Sequence, residues 1–108
     1  MNFTEYQERA AETAMYPKER GLEYTVLGLA SEAGEVAGKL KKVIRDEDGV
    51  LSMKSLDALF DELGDVLWYV AMVAKELRVS LDTVAENNIQ KLASRKARGK
   101  ITGSGDAR

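Results

Sequence analysis

The sequence predicts an all-α fold, arranged as an antiparallel four-helix bundle-like domain, and three observations predict it. Apolar residues recur at helical spacing along most of the chain. The single proline of the 108 residues, Pro17, stands near the start, so the strongest helix breaker is missing from everything that follows. The turn-forming stretches between periodic segments are short, which joins long helices as antiparallel neighbours.

The first helix is expected from about Phe3 to Met15, ending before Tyr16-Pro17 because a residue ahead of proline resists the α conformation. The second is expected from about Leu22 to Ile44 and stops at the turn formers Asp46-Glu47-Asp48-Gly49. Ser52 is a natural cap for the third, which continues to about Leu77. Ser80 caps the fourth, which fades near Arg98. Residues 1–98 thus form one helical domain, and the glycine-rich tail 99–108 is expected to be a disordered end.

Composition narrows the function classes. A formal net charge of -2 does not recommend nucleic acid as a partner. The absence of cysteine removes disulfides and thiol chemistry, and the absence of histidine removes imidazole acid–base catalysis and His-containing zinc sites. Any metal must be held by oxygen, which favours Mg²⁺, with Mn²⁺ as a substitute. No basic-then-apolar leader opens the chain, and no apolar run approaches the ~20 residues of a membrane span. The expectation is a cytoplasmic protein with no membrane partner.

At ~100° per residue the second helix gathers Leu22, Val26, Leu29, Ala33, Val36, Ala37, Leu40 and Ile44 into one stripe. The third gathers Leu56, Leu59, Phe60, Leu63, Leu67, Val70, Ala74 and Leu77. Both stripes are expected to be core. Glu32 and Glu35 flank the first at i, i+3, followed by Lys39, and Glu62 and Asp65 repeat the spacing beside the second. Packing the stripes together brings four carboxylates to one seam, where like charges repel unless a cation joins them. A divalent ion held by Glu32, Glu35, Glu62 and Asp65 resolves that repulsion. Gly34 and Gly64 stand inside the two acidic pairs, where local propensity disfavours glycine by about 1 kcal/mol, so close packing or room for a ligand is expected there.

On the fourth helix Asn88 falls within an inward stripe of Leu81, Val84, Ala85 and Leu92, with Lys91 and Arg95 along the same edge. An amide and two cations in that position suit a phosphate chain. Tyr69 continues the carboxylate flank and can stack on a nucleobase, whereas Trp68 points elsewhere and is expected at a subunit interface.

The segments Ser31-Glu32-Ala33-Gly34-Glu35 and Asp61-Glu62-Leu63-Gly64-Asp65-Val66-Leu67-Trp68-Tyr69 closely resemble the MazG-like nucleotide pyrophosphohydrolases, which carry E-x-x-E on one helix and E-x-x-D on the next. The resemblance runs from about Tyr24 to Arg95 and includes the Asn88–Lys91 segment. It implies an all-α homodimer or homotetramer that hydrolyses (d)NTP to the monophosphate and pyrophosphate, a nucleotide-pool house-cleaning activity. It also implies Glu32, Glu35, Glu62 and Asp65 as Mg²⁺ ligands and Asn88 and Lys91 as substrate contacts. Glu32 and Glu35 are the candidates to accept the proton of the attacking water; Lys91, with Lys39 and Arg95 behind it, is the candidate to neutralise phosphate oxygens. The alternatives are a phosphoribosyl-ATP pyrophosphohydrolase-like enzyme and a non-catalytic helical module that binds nucleotides or a protein.

Overall fold

Asn2 starts the first helix, α1 (Phe3–Ala11), by accepting the Glu5 N–H at 2.8 Å. The structure, a computed structural model, describes residues 1–108 and contains four α-helices and no strand. α1 stops short of the expected Met15 because its last carbonyls are taken from outside the helix. The Ala10 oxygen accepts the Thr13 hydroxyl at 2.9 Å and the Trp68 indole N–H at 3.1 Å. A 3-10 turn, Lys18–Arg20, follows Pro17 and feeds α2 (Gly21–Asp46). α2 closes where the Gly49 N–H returns to the Val43 carbonyl at 3.1 Å, a turn that sets Gly49 at φ 76° and suits its lack of a Cβ.

Ser52 caps α3 (Met53–Glu76), and its side chain accepts the Ser55 N–H at 3.1 Å. α3 ends with a Schellman arrangement in which Val79 N–H reaches Ala74 O and Arg78 N–H reaches Lys75 O, both at 3.0 Å. Arg78 occupies the left-handed position at φ 60°, where glycine is usual, so the stop has no glycine to announce it. Ser80 then caps α4 (Leu81–Ala97), accepting the Thr83 N–H at 3.1 Å.

α2 and α3 form the principal pairing. Glu47 meets Ser55, Lys39 meets Glu62, and Gly28 faces Tyr69, so the two run antiparallel. Two glycines of α2 sit against α3 side chains. A Cβ at Gly28 would fall inside the Tyr69 ring, and one at Gly21 would fall on the Glu76 carboxylate. Gly34 and Gly64, by contrast, face open space, which removes close packing within the chain as their reason.

α1 lies on α3, and α4 touches α1 and α3 but makes no contact with α2. The four helices therefore do not close on one common core within the chain. The core sits at one end, where Ala10, Ala71, Met72, Ala74 and Leu81 are buried with Trp68 and Tyr16 packed against them. Trp68 is thus used inside the chain, holding α1 on α3, rather than reserved for a subunit interface. Gln7 is buried beside it: its amide donates to Val79 O at 3.1 Å and Ala71 O at 3.3 Å, while its oxygen accepts the Leu81 N–H at 3.1 Å. One side chain thereby ties α1 to the α3–α4 turn.

The two long stripes expected as core are largely exposed. Leu22, Val26, Leu40 and Ile44 on α2, and Leu56, Phe60 and Leu63 on α3, all face out, Phe60 at 76% exposure. The face that joins α2 to α3 is instead the small and polar one, running through Gly21, Thr25, Gly28, Glu32, Lys39 and Val43. Only ten of 108 residues are buried, and the radius of gyration is 16.8 Å. A compact domain of this length has roughly 13 Å. The tail also departs from expectation: residues 99–108 turn back on the end of α4, where Arg108 donates to Lys100 O at 3.1 Å and Arg98 donates to Arg108 O at 3.0 Å.

Two substitutions test this packing by urea unfolding. Gly28→Ala will cost about 1–3 kcal/mol through overlap with Tyr69, whereas Gly34→Ala will gain up to about 1 kcal/mol from helix propensity alone. Equal effects at the two sites would refute the assignment of the close contact. Gln7→Leu will cost about 1–3 kcal/mol, because Leu81 N–H and Val79 O lose their partner; an unchanged midpoint would show that the pin is dispensable.

Candidate active site

The groove between α2 and α3 carries the charged residues that the sequence singled out. Glu32 is presented by α2 and Glu62 by α3, both half-buried, while Asp65 stands one turn further along α3 and is exposed. Carboxylate oxygens of Glu32, Glu62 and Asp65 all lie within 4.8 Å of one another. Lys39 Nζ reaches Glu62 Oε1 at 2.8 Å and the Ala58 carbonyl at 3.5 Å. The other oxygen of Glu62, Oε2, is buried and has no hydrogen-bond partner.

The protonation behaviour follows from that crowding. Burial raises the Glu32 carboxyl above its ordinary range, and the close approach of the Glu62 carboxylate and the charges of Asp65 and Glu35 add to the effect. Glu62 moves the other way: its hydrogen bond to Lys39 holds it below the ordinary range, against the cost of burial. Lys39 is raised in turn by Glu62. The two acids of the pair are thus shifted in opposite directions.

A divalent cation fits this donor set. All three converging groups offer oxygen, their negative charge exceeds what one ammonium neutralises, and Glu62 Oε2 is a buried acceptor with nothing donating to it. Glu35 is exposed, and its oxygens are not among the three that converge, although its charge is felt at Glu32 and Lys39.

The remaining predicted residues separate into two places. Tyr69 lies in the same groove: it covers Gly28 and meets Trp68 edge-on at a centroid distance of 5.0 Å. Burial and the neighbouring Tyr24 raise its phenol, with Glu32 and Asp65 contributing. Asn88 and Lys91 are exposed on α4, which does not touch α2, so one chain does not bring them to the acids. The inward position expected for Asn88 is therefore corrected: beyond Ala85, α4 is exposed until Arg95, which the tail and not a helix covers. Arg95 is buried under the tail, its guanidinium donating to Asp106 O at 2.8 Å.

Two contributors were not anticipated. Tyr6 of α1 stands close enough to Asp65 that, after burial, the Asp65 charge is the second cause raising its phenol. Nothing in the α1 sequence signals that proximity. The glycines that set the seam, Gly21 and Gly28, were legible in principle, because Gly21, Thr25 and Gly28 recur at i, i+4 and i+7 as a stripe of small residues.

The comparison with known families decides the relationship. The family model of the MazG nucleotide pyrophosphohydrolase domain matches residues 20–99. The chain belongs to this family. The match spans α2, α3 and α4, and hence the whole carboxylate groove, and it leaves α1 outside. The Gene 37 protein of Mycobacterium phage L5 is 51% identical to this MazG-family chain over 109 aligned residues, covering 95% of the chain and 96% of the relative. No solved structure gives a significant match. Family membership carries nucleotide pyrophosphohydrolase activity in general and a general dependence on divalent metal, for which the acidic cluster is the matching feature. No helix is long and apolar enough to cross a membrane.

The pH dependence of stability separates the two glutamates. Glu32 has its folded-state value raised above the ordinary 4.5, so its contribution is complete below that pH and is lost as pH rises through the raised value. Glu62 has a lowered value, so its contribution is present above 4.5 and is lost as pH falls through the lowered one. In EDTA, melting curves of Glu32→Gln compared with the parent will show the parent losing relative stability as pH rises above 4.5. Parallel curves would show that Glu32 is not strained.

Proposed function

We propose that this chain is a Mg²⁺-dependent nucleoside triphosphate pyrophosphohydrolase that converts (d)NTP to the monophosphate and pyrophosphate in nucleotide-pool house-cleaning. The observation that carries the proposal is the buried, unpartnered Glu62 oxygen within a three-carboxylate cluster of a MazG-family chain. Glu32, Glu62 and Asp65 are the residues to hold the ion. When bound, Mg²⁺ offsets phosphate charge and lowers the cost of the developing negative charge on the leaving group.

The chain's own groups account for the remainder. Glu35, exposed beside the cluster and outside the converging set, is the carboxylate free to accept a proton from the attacking water. The water oxygen bonds to the α-phosphorus, the bond from that phosphorus to the bridging oxygen breaks, and pyrophosphate leaves with the electron pair. Lys39, held at the edge of the cluster by Glu62, supplies positive charge to the phosphates. Tyr69, in the same groove, offers a ring face for the base.

Asn88 and Lys91 enter this reading through a second copy of the chain, since one chain does not bring them to the groove. A homodimer or homotetramer would also cover the exposed apolar stripes of α2 and α3. Arg95, buried beneath the tail, acts in this reading by holding the end of α4.

The test is an assay of the purified protein with Mg²⁺ against canonical, deoxy and damaged nucleoside triphosphates. Pyrophosphate is the expected product, and orthophosphate instead would overturn the proposed bond cleavage. Glu35→Gln and Glu62→Gln are each expected to lower turnover by about 10²-fold or more with the helical circular dichroism unchanged. Near-normal turnover in either variant would remove that residue from the mechanism.

A further inference from the structure

The α2–α3 groove does not end at the acids. Towards the hairpin turn it opens into a cleft of about 470 Å³ lined by three lysines, Lys39, Lys42 and Lys54, and by two acids, Asp46 and Glu47, together with Ser55. Lys39 belongs to both regions: it lines the cleft and holds Glu62 at 2.8 Å. Cleft and carboxylate cluster are therefore continuous along one face of the hairpin.

The cleft's charges are unevenly matched. Asp46 is engaged by Arg45, through two hydrogen bonds at 2.7 and 2.8 Å. Glu47 accepts the Ser52 hydroxyl at 2.9 Å and the Ser55 hydroxyl at 2.7 Å. Neither carboxylate makes an ion pair with Lys42 or Lys54, although the Lys42 charge helps to lower the Asp46 carboxyl, so the two exposed ammonium groups face the cleft without a direct carboxylate partner. Lys54 also lies in the first turn of α3, a turn with no acidic residue, where the helix dipole disfavours a cation. An anion in the cleft would pair with these ammonium groups and offset that dipole contact.

We propose that the cleft formed by Lys39, Lys42 and Lys54 is the diphosphate subsite: it receives the β- and γ-phosphates of the substrate and holds the departing pyrophosphate. This rests on the pyrophosphohydrolase reading above and adds a direction to it. The triphosphate lies along the hairpin, its α-phosphate at the carboxylates, its terminal phosphates towards the α2–α3 turn and its base towards Tyr69. The chemical class recognised by the cleft is a diphosphate or longer polyphosphate; a monophosphate is too short to reach from the acids to Lys42 and Lys54.

The test uses the full chain and the double variant Lys42→Ala/Lys54→Ala. Lys41→Ala/Lys96→Ala is the control, removing equal charge from two exposed residues that do not line the cleft. By calorimetry, the parent and the control are expected to bind tripolyphosphate alike, and the cleft variant to bind it at least about tenfold more weakly. Binding of nucleoside monophosphate should be the same in all three. In turnover, the cleft variant should show KM raised and pyrophosphate inhibition relaxed by similar factors, with kcat within about threefold. Lys42→Arg/Lys54→Arg should restore much of both. Tripolyphosphate binding by the cleft variant at parental affinity, or an equal loss in the control, overturns the subsite. A parent that binds tripolyphosphate through the cleft yet releases no pyrophosphate from any triphosphate would instead overturn the pyrophosphohydrolase reading and leave a polyphosphate-binding cleft.

Discussion

The close approach of α2 to α3 is the constraint on which the rest depends. Two glycines leave room for α3 side chains in it, Gly28 beneath the Tyr69 ring and Gly21 beside the Glu76 carboxylate. Once the helices meet through this small-residue face, the residues that continue it, Glu32 and Lys39 on one side and Glu62 on the other, are carried into the seam. The acids converge because the backbones are close, and they remain strained because the seam takes them partly out of water. The same choice of face turns the leucine-rich stripes outward.

That geometry organises charge along one line. The aromatic end of the groove holds Tyr24, Tyr69 and Trp68; the middle holds the carboxylates; the turn end holds the lysines. Lys39 is the junction, its ammonium held by Glu62 while its neighbours Lys42 and Lys54 face the wider cleft. A ligand with an apolar ring, a bridging cation and a polyanionic tail matches this order from end to end. The anchoring of α1 is a separate matter. Gln7 and the Trp68 indole fix it to the end of the hairpin, away from the turn, and set Tyr6 beside Asp65.

Much of this was legible in the residues. The caps Ser52 and Ser80 gave the starts of α3 and α4, and the acidic spacing gave both carboxylate pairs, because capping and helical periodicity are local properties. The early end of α1 was not legible, since it is set by an indole that arrives from α3. The left-handed stop at Arg78 was hidden for a related reason: tertiary packing holds a residue in a position that sequence rules reserve for glycine. Gly34 and Gly64 drew attention as sites of close packing or of room for a ligand, yet the packing occurs at Gly21 and Gly28, and only neighbouring atoms distinguish a crowded glycine from an open one.

By itself the sequence determined that the fold is helical, where α3 and α4 begin, that any metal must be held by oxygen, and which family the chain belongs to. These depend on residue type and spacing along the chain. Only the tertiary structure decided which face of α2 meets α3, and hence that Glu32, Glu62 and Asp65 converge while Glu35 stands aside. It also decided that Asn88 and Lys91 stand apart from that groove and that Arg95 is closed beneath the tail. A wheel shows that a face is apolar. It cannot show what covers that face, because burial against the same chain and exposure awaiting another surface leave the same periodicity in the residues.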